Sequence, residues 1–448
     1  GRQKKEKKPS VSIRELFRFA DTLDKALVTI GVVVSCGTGI AMPLTTIILS
    51  GMVGVFLDYN NISDSTGTSA QLAKDRLDHE ARKFCLYYLA LGLSMWVLSA
   101  AERIVWNVAA ERMSRRMRIA FYEATLRQEA GWFDTLTTGE LTTRISGDIN
   151  MVQDGSGDKF GFVVQYTARF AAAIVIAFVK GWQLALVVVA VMPVLAGSTM
   201  MLGVVLARTA AGGQNAYAAA GGVADEVLAS IKTVMAFGGQ EREVKRYSEK
   251  LRKARKAGLI RAWVVGANIG VVMFAVYGVY GLGFWYGGKL VRQGAMSPAR
   301  VINVFFALII GGFSLGNATP SITAVASARG AAIKVYEIID RRSPIDAIES
   351  KRGIGAEGIA GEIEFRDVVF SYPTRSEVRV LSGMNICVGA GQKVALVGES
   401  GSGKSTVIGL VERFYDVDSG AVLIDGTDVR SYNVSSLRQQ IGVIMQMP

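Results

Sequence analysis

A run of nine residues near the end of the chain has the composition of a phosphate-binding loop. Gly398 to Thr406 read G-E-S-G-S-G-K-S-T, which matches the pattern G-x-x-x-x-G-K-[ST]. The apolar run Lys393–Val397 before it predicts a buried parallel strand, and the apolar stretch Val407–Phe414 after it predicts a helix. Because this motif requires a strand before it and a helix after it, a glycine-rich turn with an incidental lysine is the weaker interpretation.

The spacing of this loop has a physical reason. Glycines let backbone N–H groups converge on phosphate oxygens, and the start of the following helix adds partial positive charge. We expect Lys404 to reach the outer phosphates and the Ser405 hydroxyl to bind Mg²⁺. The predicted phosphate-binding residues are Gly398, Ser400, Gly401, Ser402, Gly403, Lys404, Ser405 and Thr406.

The other residues with reactive side chains are few and scattered. Cys36, Cys85 and Cys387 lie far apart, with no pair at metal-ligand or redox spacing, so we expect reduced thiols. The single histidine, His79, is expected to be a solvated loop residue.

The composition separates apolar from charged residues along the chain. Of 448 residues, 50% are hydrophobic and 20% are charged, and the net charge is +12. Such a charge could indicate a nucleic-acid-binding protein or the basic cytoplasmic loops of a membrane protein. The hydropathy decides for the membrane, so no nucleic-acid partner is expected.

Six apolar stretches are long enough to cross a bilayer, which takes about 20 residues. The sixth, Phe160–Val179, is broken only by Arg169. The other five hold stretches without Asp, Glu, Lys or Arg: Ala26–Leu57, Phe84–Ala101, Trp182–Ala207, Ala262–Gly288 and Val301–Ala328. Soluble helices alternate polar and apolar faces, so six such runs in succession predict membrane spans. The predicted spans are 26–57, 84–107, 160–180, 182–207, 262–288 and 301–328.

The orientation follows from lysine and arginine in the connecting segments. The segments on one side contain eight, seven and eleven lysine and arginine residues. The segments on the other side contain four, one and three. The richer segments are 1–25, 103–157 and 207–262. The chain is therefore predicted to be a multi-pass membrane protein with a cytoplasmic amino terminus. Asn61, in a sequon of the outward segment 58–83, is consistent with glycosylation.

Two cytoplasmic segments predict helices that continue well below the membrane. Phe84 to about Gln128 should form one helix about 65 Å long, and a second should run from about Ala216 through the fifth span. The interruptions at Ala130–Asp134 and Phe237–Glu241 predict short transverse helices that could contact a soluble domain.

The residue composition changes after the sixth predicted span. We predict a basic tail and amphipathic helix over 1–25, a membrane domain over 26–339, a charged linker over 340–361 and a soluble domain over 362–448. Within the soluble domain, Ile363–Phe365 and Val368–Phe370 read as strands.

Further motifs resemble those of one family. Phe370–Arg375 resembles the segment of ATP-binding-cassette (ABC) proteins that stacks an aromatic ring, here Tyr372, on adenine. Ile441–Gln446 resembles the strand that ends in the glutamine contacting Mg²⁺ and the attacking water. Three segments resemble the elbow helix and the fifth and sixth spans of the multidrug-resistance (P-glycoprotein) branch: Ser12–Phe19, Gly283–Gly287 and Ser327–Ala332. Nearly the whole chain is similar to the amino-terminal half of such an exporter.

The resemblance implies a fold, an activity and partners. The fold is a polytopic α-helical membrane domain of the type I ABC exporters, followed by a partial α/β P-loop nucleotide-binding domain. The activity is export of hydrophobic or amphipathic small molecules by alternating access, with ATP and Mg²⁺. The partners are a second ABC half, in the same chain or another subunit, a small-molecule or lipid substrate and the lipid bilayer, with the plasma membrane as the expected location.

The same resemblance assigns residues to roles. Tyr372 and Gln446 join the phosphate loop at the ATP site, and Ser405 and Gln446 are the expected Mg²⁺ ligands. The residues expected to couple the membrane and soluble domains are Trp132, Phe133, Asp134, Phe237 and Gly238. The residues expected to line a substrate chamber are Tyr277, Tyr280, Phe306, Asn317 and Arg169. Arg169 should favour anionic amphiphiles or pair with an acidic residue of the second half.

The chain departs from the family pattern at its end. Met447-Pro448 stand where Glu-Pro is usual, and the signature motif, the acidic metal site with its catalytic glutamate and the switch histidine are absent. We therefore expect a piece of a longer protein that is incompetent in hydrolysis alone, with no complete catalytic set. The alternatives are a non-catalytic or regulatory truncated partner, and a channel-like member of the family.

Overall fold

The structure, a computed structural model, describes residues 11–63, 68–136, 138–191, 193, 197, 217–346, 348, 353–399 and 401–444. The chain divides into two compact units, each built from separate stretches of sequence. The first, here the sheet-containing unit, comprises Gly1–Asp21, Ala110–Ser156 and Ala326–Pro448. The second, here the helical unit, comprises Thr22–Ala109 and Gly157–Val325.

Helices account for the membrane-like part of the sequence. In chain order they are α1 Ile13–Leu16, α2 Thr22–Ser63, α3 Thr68–Leu126, α4 Ala130–Thr135, α5 Thr138–Thr143, α6 Ile149–Ser156, α7 Asp158–Val189, α8 217–229, α9 Ile231–Ala236, α10 Gln240–Arg292 and α11 Pro298–Asp340. A π-helical turn, Arg144–Asp148, joins α5 to α6.

Five helical stretches among the described residues are long and apolar enough to cross a membrane by length and composition. They are Thr22–Asn60, Lys74–Leu126, Leu141–Val189, Gln240–Arg292 and Pro298–Asp340. The fourth predicted span, 182–207, falls mostly outside the described residues. The membrane-domain part of the predicted fold class is thus observed.

The helices that were predicted to continue beyond the bilayer are very long. Helix α3 has 59 residues, or about 90 Å at 1.5 Å per residue, three times the hydrocarbon thickness. This confirms the single helix predicted from Phe84. Helix α10 has 53 residues and holds the whole fifth predicted span.

Small residues let the helices of the helical unit pack closely. A Cβ at Gly283 would lie 2.8 Å from the Phe305 ring, and a Cβ at Gly287 would lie 2.5 Å from Val301. The two glycines therefore allow α10 to approach α11 directly. Helices α7, α10 and α11 contribute to one buried cluster, which includes Leu184, Val304 and Leu308.

The amphipathic helix predicted near the amino terminus is present as α1. Ser12 and Glu15 form a reciprocal capping box at its start, which satisfies free backbone N–H groups there. The Arg18 guanidinium donates two hydrogen bonds to the Asp340 carboxylate, at 2.7 and 2.6 Å, and so ties this segment to the end of α11.

The soluble domain contains a four-stranded antiparallel sheet with the order β2-β1-β3-β4. The strands are β1 Ile363–Ser371, β2 Arg379–Val388, β3 Ser419–Ile424 and β4 Thr427–Asp428. Helices α12 Lys404–Val411 and α13 Val434–Gln439 complete it. Leu410 of α12 is buried in the same core cluster as Phe365 and Phe370 of β1.

Two sequence predictions for this domain need correction. The run Lys393–Val397 is not a strand, and Val397 is 93% exposed. A buried parallel strand needs neighbours on both sides, and the described strands pair antiparallel with one another, so none pairs with this run. The helix predicted over Val407–Phe414 begins at Lys404 and ends at Val411. It begins earlier than predicted because Gly403, in a left-handed conformation, is the residue that caps its start.

Candidate phosphate-binding site and its contacts with the transverse helix

The backbone of the predicted phosphate loop requires glycine at two positions. Gly401 and Gly403 each have φ +89, a left-handed conformation that other residues rarely adopt. A Cβ at Gly403 would also lie 3.0 Å from Leu381 and 3.1 Å from Val380. The loop thus turns tightly against β2 before α12 begins.

The Lys404 side chain folds back over this loop. Its Nζ donates to the backbone carbonyls of Gly398 at 2.9 Å and Glu399 at 2.6 Å, and lies 3.4 Å from the Ser402 hydroxyl. These acceptors are neutral oxygens. Charged phosphate oxygens in their place would accept stronger, charge-assisted hydrogen bonds from the ammonium group. The Lys404 ammonium group therefore lies where it could contact an anion bound to the loop.

Tyr372 and the loop, which are separate in sequence, meet in the structure. The Tyr372 hydroxyl lies 2.9 Å from the Thr406 hydroxyl, and Thr406 is buried in the first turn of α12. The Tyr372 ring packs edge-on against Phe370 and Tyr415, with centroids 5.1 and 5.3 Å apart. The residue predicted to stack on adenine thus lies beside the residues predicted to hold phosphate.

The donor set fits Mg²⁺ in part. The described residues contain no group of three His, Cys, Asp or Glu side chains able to hold a metal. Mg²⁺ takes oxygen ligands and usually keeps several waters beside substrate phosphates, so the exposed Ser405 hydroxyl is an oxygen donor of a kind that Mg²⁺ accepts. The other predicted ligand, Gln446, lies outside the described residues, as does Ser400.

The first transverse helix, α4, contacts the soluble domain beside this site. The Tyr415 hydroxyl donates to the Asp134 carboxylate at 2.7 Å. A Cβ at Gly131 would lie 3.0 Å from Pro373 and 3.7 Å from Tyr415. Burial first, and then the hydrogen bond to Asp134, raise the pKa of Tyr415, so its phenol stays protonated as a donor. One tyrosine therefore contacts both α4 and Tyr372.

The aromatic residues of α4 contact each other and Arg341. Trp132 packs edge-on against Phe133, with centroids 5.0 Å apart, and its ring lies 5.8 Å from the Arg341 guanidinium. Phe133 is 40% exposed. Asp134 and Gly131 of α4 are the residues seen above to contact the soluble domain. Sequence analysis missed Tyr415, whose only signal is an aromatic residue just after the helix of the phosphate loop.

The second transverse helix precedes its predicted position. It is α9, Ile231–Ala236, whereas Gln240 and Glu241 already belong to α10. Gly238 has φ +62, and the N–H groups of Gly238 and Gly239 bond to carbonyls of α9, which ends that helix. The predicted contact residue Phe237 follows α9 and is 85% exposed.

A charged clamp holds the start of α4. Arg341, just after α11, forms hydrogen-bonded ion pairs with both carboxylate oxygens of Glu129, and the Ser343 hydroxyl donates to the same carboxylate at 2.6 Å. Burial alone would raise the pKa of Glu129, but the hydrogen bonds from Arg341 and Ser343 outweigh it and lower the pKa below its ordinary 4.5. The carboxylate is thus ionised at neutral pH.

The clamp predicts a pH dependence. Since the pKa of Glu129 is lowered in the folded state, its stabilisation is complete above about pH 4.5 and is lost as the pH falls through the lowered pKa. We expect hydrogen exchange of the amides of 129–136, corrected for intrinsic rates, to accelerate below pH 4.5. Glu129→Gln should exchange faster at pH 7 and lose most of this pH dependence. An unchanged pH dependence in Glu129→Gln would contradict the assignment.

The residues expected to line a chamber fall into two groups. Tyr277 and Tyr280 are edge-on neighbours 5.9 Å apart, and Phe305 lies 5.0 Å from Tyr280 and 5.6 Å from Phe306. The structure therefore brings three predicted residues into one aromatic row through the buried Phe305. Asn317 is exposed on α11, eleven residues or about 16 Å beyond Phe306.

Arg169 lies on α7, within the predicted third span. Its guanidinium lies 5.4 Å from the Tyr166 ring, and its Nε is buried with no hydrogen-bond partner. An arginine at the centre of a spanning helix costs roughly 2.5–3.5 kcal/mol on insertion scales, so a charge of this kind usually has a function.

Two family models match the chain. The model described as "ABC transporter transmembrane region" matches residues 28–313, and the model described as "ABC transporter" matches residues 381–448. The first covers well over half of the chain, and the second includes the whole phosphate loop.

Curated relatives match almost the full length of the chain. Human "ATP-binding cassette sub-family B member 5" is 36% identical over 453 residues, covering 100% of this chain and 36% of the relative. "ABC transporter B family member 2" of Dictyostelium discoideum is 38% identical, covering 98% and 31%. "ABC multidrug transporter MDR1" of Cryptococcus neoformans is 39% identical, covering 98% and 32%. The chain thus spans about a third of the length of the relatives it matches.

Proposed function

The chain belongs to the ABC transporters, in their B subfamily, and on that premise we propose that it serves ATP-driven export of hydrophobic or amphipathic small molecules. It would supply one membrane domain and part of one ATP-binding domain, and a second ABC half would complete the transporter. Multidrug transport and leptomycin B resistance appear in the names of two relatives, which supports a lipophilic substrate class.

One observation carries the proposal: polar and ring contacts run without a gap from the phosphate loop to α4. Thr406 bonds to Tyr372, Tyr372 packs on Tyr415, and Tyr415 donates to Asp134. Chemistry at the loop therefore has a direct route to a helix that belongs to the membrane-domain part of the chain. An isolated ATP-binding protein would have no use for such a route.

Different residues of this chain would contact different parts of the nucleotide. Lys404 would exchange its loop carbonyls for phosphate oxygens, and the N–H groups at the start of α12 would add donors. Tyr372 would contact the adenine ring, while Ser405 and Gln446 would hold Mg²⁺, which neutralises phosphate charge when bound. Hydrolysis also needs a group that orients the attacking water. We propose that another part of the complete transporter supplies this group.

The substrate is proposed to contact the aromatic row of α10 and α11. Tyr277 is 68% exposed and Phe306 is 38% exposed, although Phe305 between them is buried. Exposed aromatic faces beside few charged groups suit large apolar or amphipathic molecules. The plasma membrane, with the phosphate loop facing the cytoplasm, is the proposed location.

The proposal is tested by measuring ATP hydrolysis of the purified native transporter in lipid nanodiscs against increasing concentrations of amphipathic dyes. We expect Mg²⁺-dependent hydrolysis that such dyes stimulate, because transport substrates favour the closed arrangement of the ATP-binding domains. Hydrolysis that no lipophilic compound changes would argue for a non-transporting role.

Removing the Tyr415 hydroxyl should weaken coupling. Tyr415→Phe deletes one hydrogen bond to an exposed carboxylate, worth about 1 kcal/mol, or about a fivefold change in the equilibrium it biases. We expect the number of substrate molecules moved per ATP hydrolysed to fall by about that factor. Tyr432→Phe is the matched control, because it also loses one tyrosine hydrogen bond, to Ile424, away from α4. Equal effects of both variants would contradict a coupling role.

A further inference from the structure

One face of α7 carries two aromatic rings between two cations. Lys159, Phe162, Tyr166 and Arg169 follow one another at spacings of three or four residues, so they share a face. The Lys159 Nζ lies 5.6 Å from the Phe162 ring, which stacks on Tyr166 at 5.8 Å and 10°. Arg169 ends the row, 5.4 Å from the Tyr166 ring. We name these four residues the cation–aromatic stripe.

At the start of the stripe, Lys159 and the neighbouring Arg103 share one carboxylate, which offsets one of their two positive charges. Arg103 of α3 lies over the same Phe162 ring, at 3.7 Å. Arg103 and Lys159 both pair with Asp158, at 3.7 and 3.8 Å. An anion would gain less by approaching these two cations, because a carboxylate already lies between them.

At the inner end of the stripe, Arg169 has no such ion pair among the described residues. Glu102 of α3 is an acidic residue near Arg169, and it is only 2% exposed. Its two oxygens accept hydrogen bonds from Ser35 at 2.9 Å and Thr38 at 2.8 Å, and it makes no ion pair with Arg169. The Arg169 Nε has no acceptor among the described residues.

The position of Arg169 makes this charge unusual. It lies nine residues beyond the start of the predicted third span, about 14 Å along a helix that crosses about 30 Å of hydrocarbon. A guanidinium there recognises planar or tetrahedral anions through several N–H groups at once. The half-buried Tyr166 and Phe162 rings offer apolar surface next to it, toward the start of α7, although Arg103 lies over the Phe162 ring.

We propose that the stripe is a binding site for an anionic amphiphile, with a carboxylate, sulfate or phosphate group on Arg169 and an apolar body along Tyr166 and Phe162. The inference rests on the proposed export function and narrows its substrate class. The site discriminates by charge, since neutral and cationic amphiphiles of the same shape gain nothing from Arg169.

A matched pair of ligands tests the site. A fluorescent twelve-carbon fatty acid and its primary amide differ in charge at pH 8 but not in apolar body. Binding of each is measured without ATP to the purified native transporter in neutral-lipid nanodiscs. We expect the acid to bind about tenfold more tightly than the amide, and Arg169→Gln to abolish that preference while the affinity for the amide changes by less than about twofold.

Two further variants keep the test decisive. Arg169→Lys should retain part of the preference for the acid, and Lys180→Gln, which removes another cation of α7 outside the stripe, should leave the preference intact. A wild-type protein without preference, as expected if Arg169 pairs with an acidic residue of the second half, would overturn the inference. An equal loss of acid and amide binding in Arg169→Gln would also overturn it, by showing a structural role.

The two proposals fail separately. ATP-dependent movement of the neutral amide tests export, whereas the ratio of acid to amide affinity tests the stripe. Sulfate- and phosphate-headed analogues of the same chain length then show which anionic group the site prefers.

Discussion

Lys404→Ala is expected to reduce ATP hydrolysis by the native transporter by about a hundredfold or more, because it removes the one cation that the loop holds for the phosphates. The glycine backbone remains, so the loss falls on charge stabilisation rather than on folding of the loop. Photolabelling with an azido-ATP analogue and steady-state hydrolysis measure the two effects separately.

The matched control for this variant is Lys393→Ala. Lys393 is an exposed lysine eleven residues earlier, on the segment that leads into the loop, and it should be replaceable with less than a twofold effect. Hydrolysis by Lys404→Ala at the wild-type rate would contradict the assignment of this loop as the ATP site. An equal loss in both variants would indicate damage to the segment as a whole.

Gly131→Val is expected to uncouple hydrolysis from transport. The new side chain would start 3.0 Å from Pro373, between α4 and the segment that carries Tyr372, so α4 or Pro373 must shift. Overpacking of this kind costs about 1–3 kcal/mol. We expect transport to fall about tenfold or more while ATP binding falls less, because the loop itself is untouched.

The chain offers a close control in Gly139→Val. Gly139 is also a helical glycine, eight residues further along the chain than Gly131, but a Cβ there meets no described atom within 4 Å. Its transport rate should stay close to that of the wild type. If Gly131→Val and Gly139→Val behaved alike, the contact of α4 with Pro373 and Tyr415 would not transmit the motion.

The phosphate loop could be predicted from sequence because its chemistry is local. The conformations of Gly401 and Gly403, and the position of Lys404 at the start of α12, follow from nine consecutive residues. The proximity of Tyr372 to the loop was implied only by the family resemblance, since 34 residues separate it from Thr406. The membrane helices were predictable because long apolar runs have few alternative folds.

Contacts between distant segments could not be predicted. Tyr415 reaches Asp134 across 281 residues, and no periodicity marks either residue. The clamp of Arg341 on Glu129 is equally non-local, across 212 residues. The error at α9 was local: a Gly-Gly pair marks the end of a helix as readily as its start, and the structure places Gly238 and Gly239 at the end.

Uptake of a lipophilic dye into inside-out vesicles that contain the native transporter tests the central proposal most directly. The proposal predicts uptake with ATP and Mg²⁺, none with a non-hydrolysable ATP analogue, and almost none with Lys404→Ala under the same conditions. Uptake that is equal with ATP and with the analogue, or that survives in Lys404→Ala, would contradict ATP-driven export by this chain.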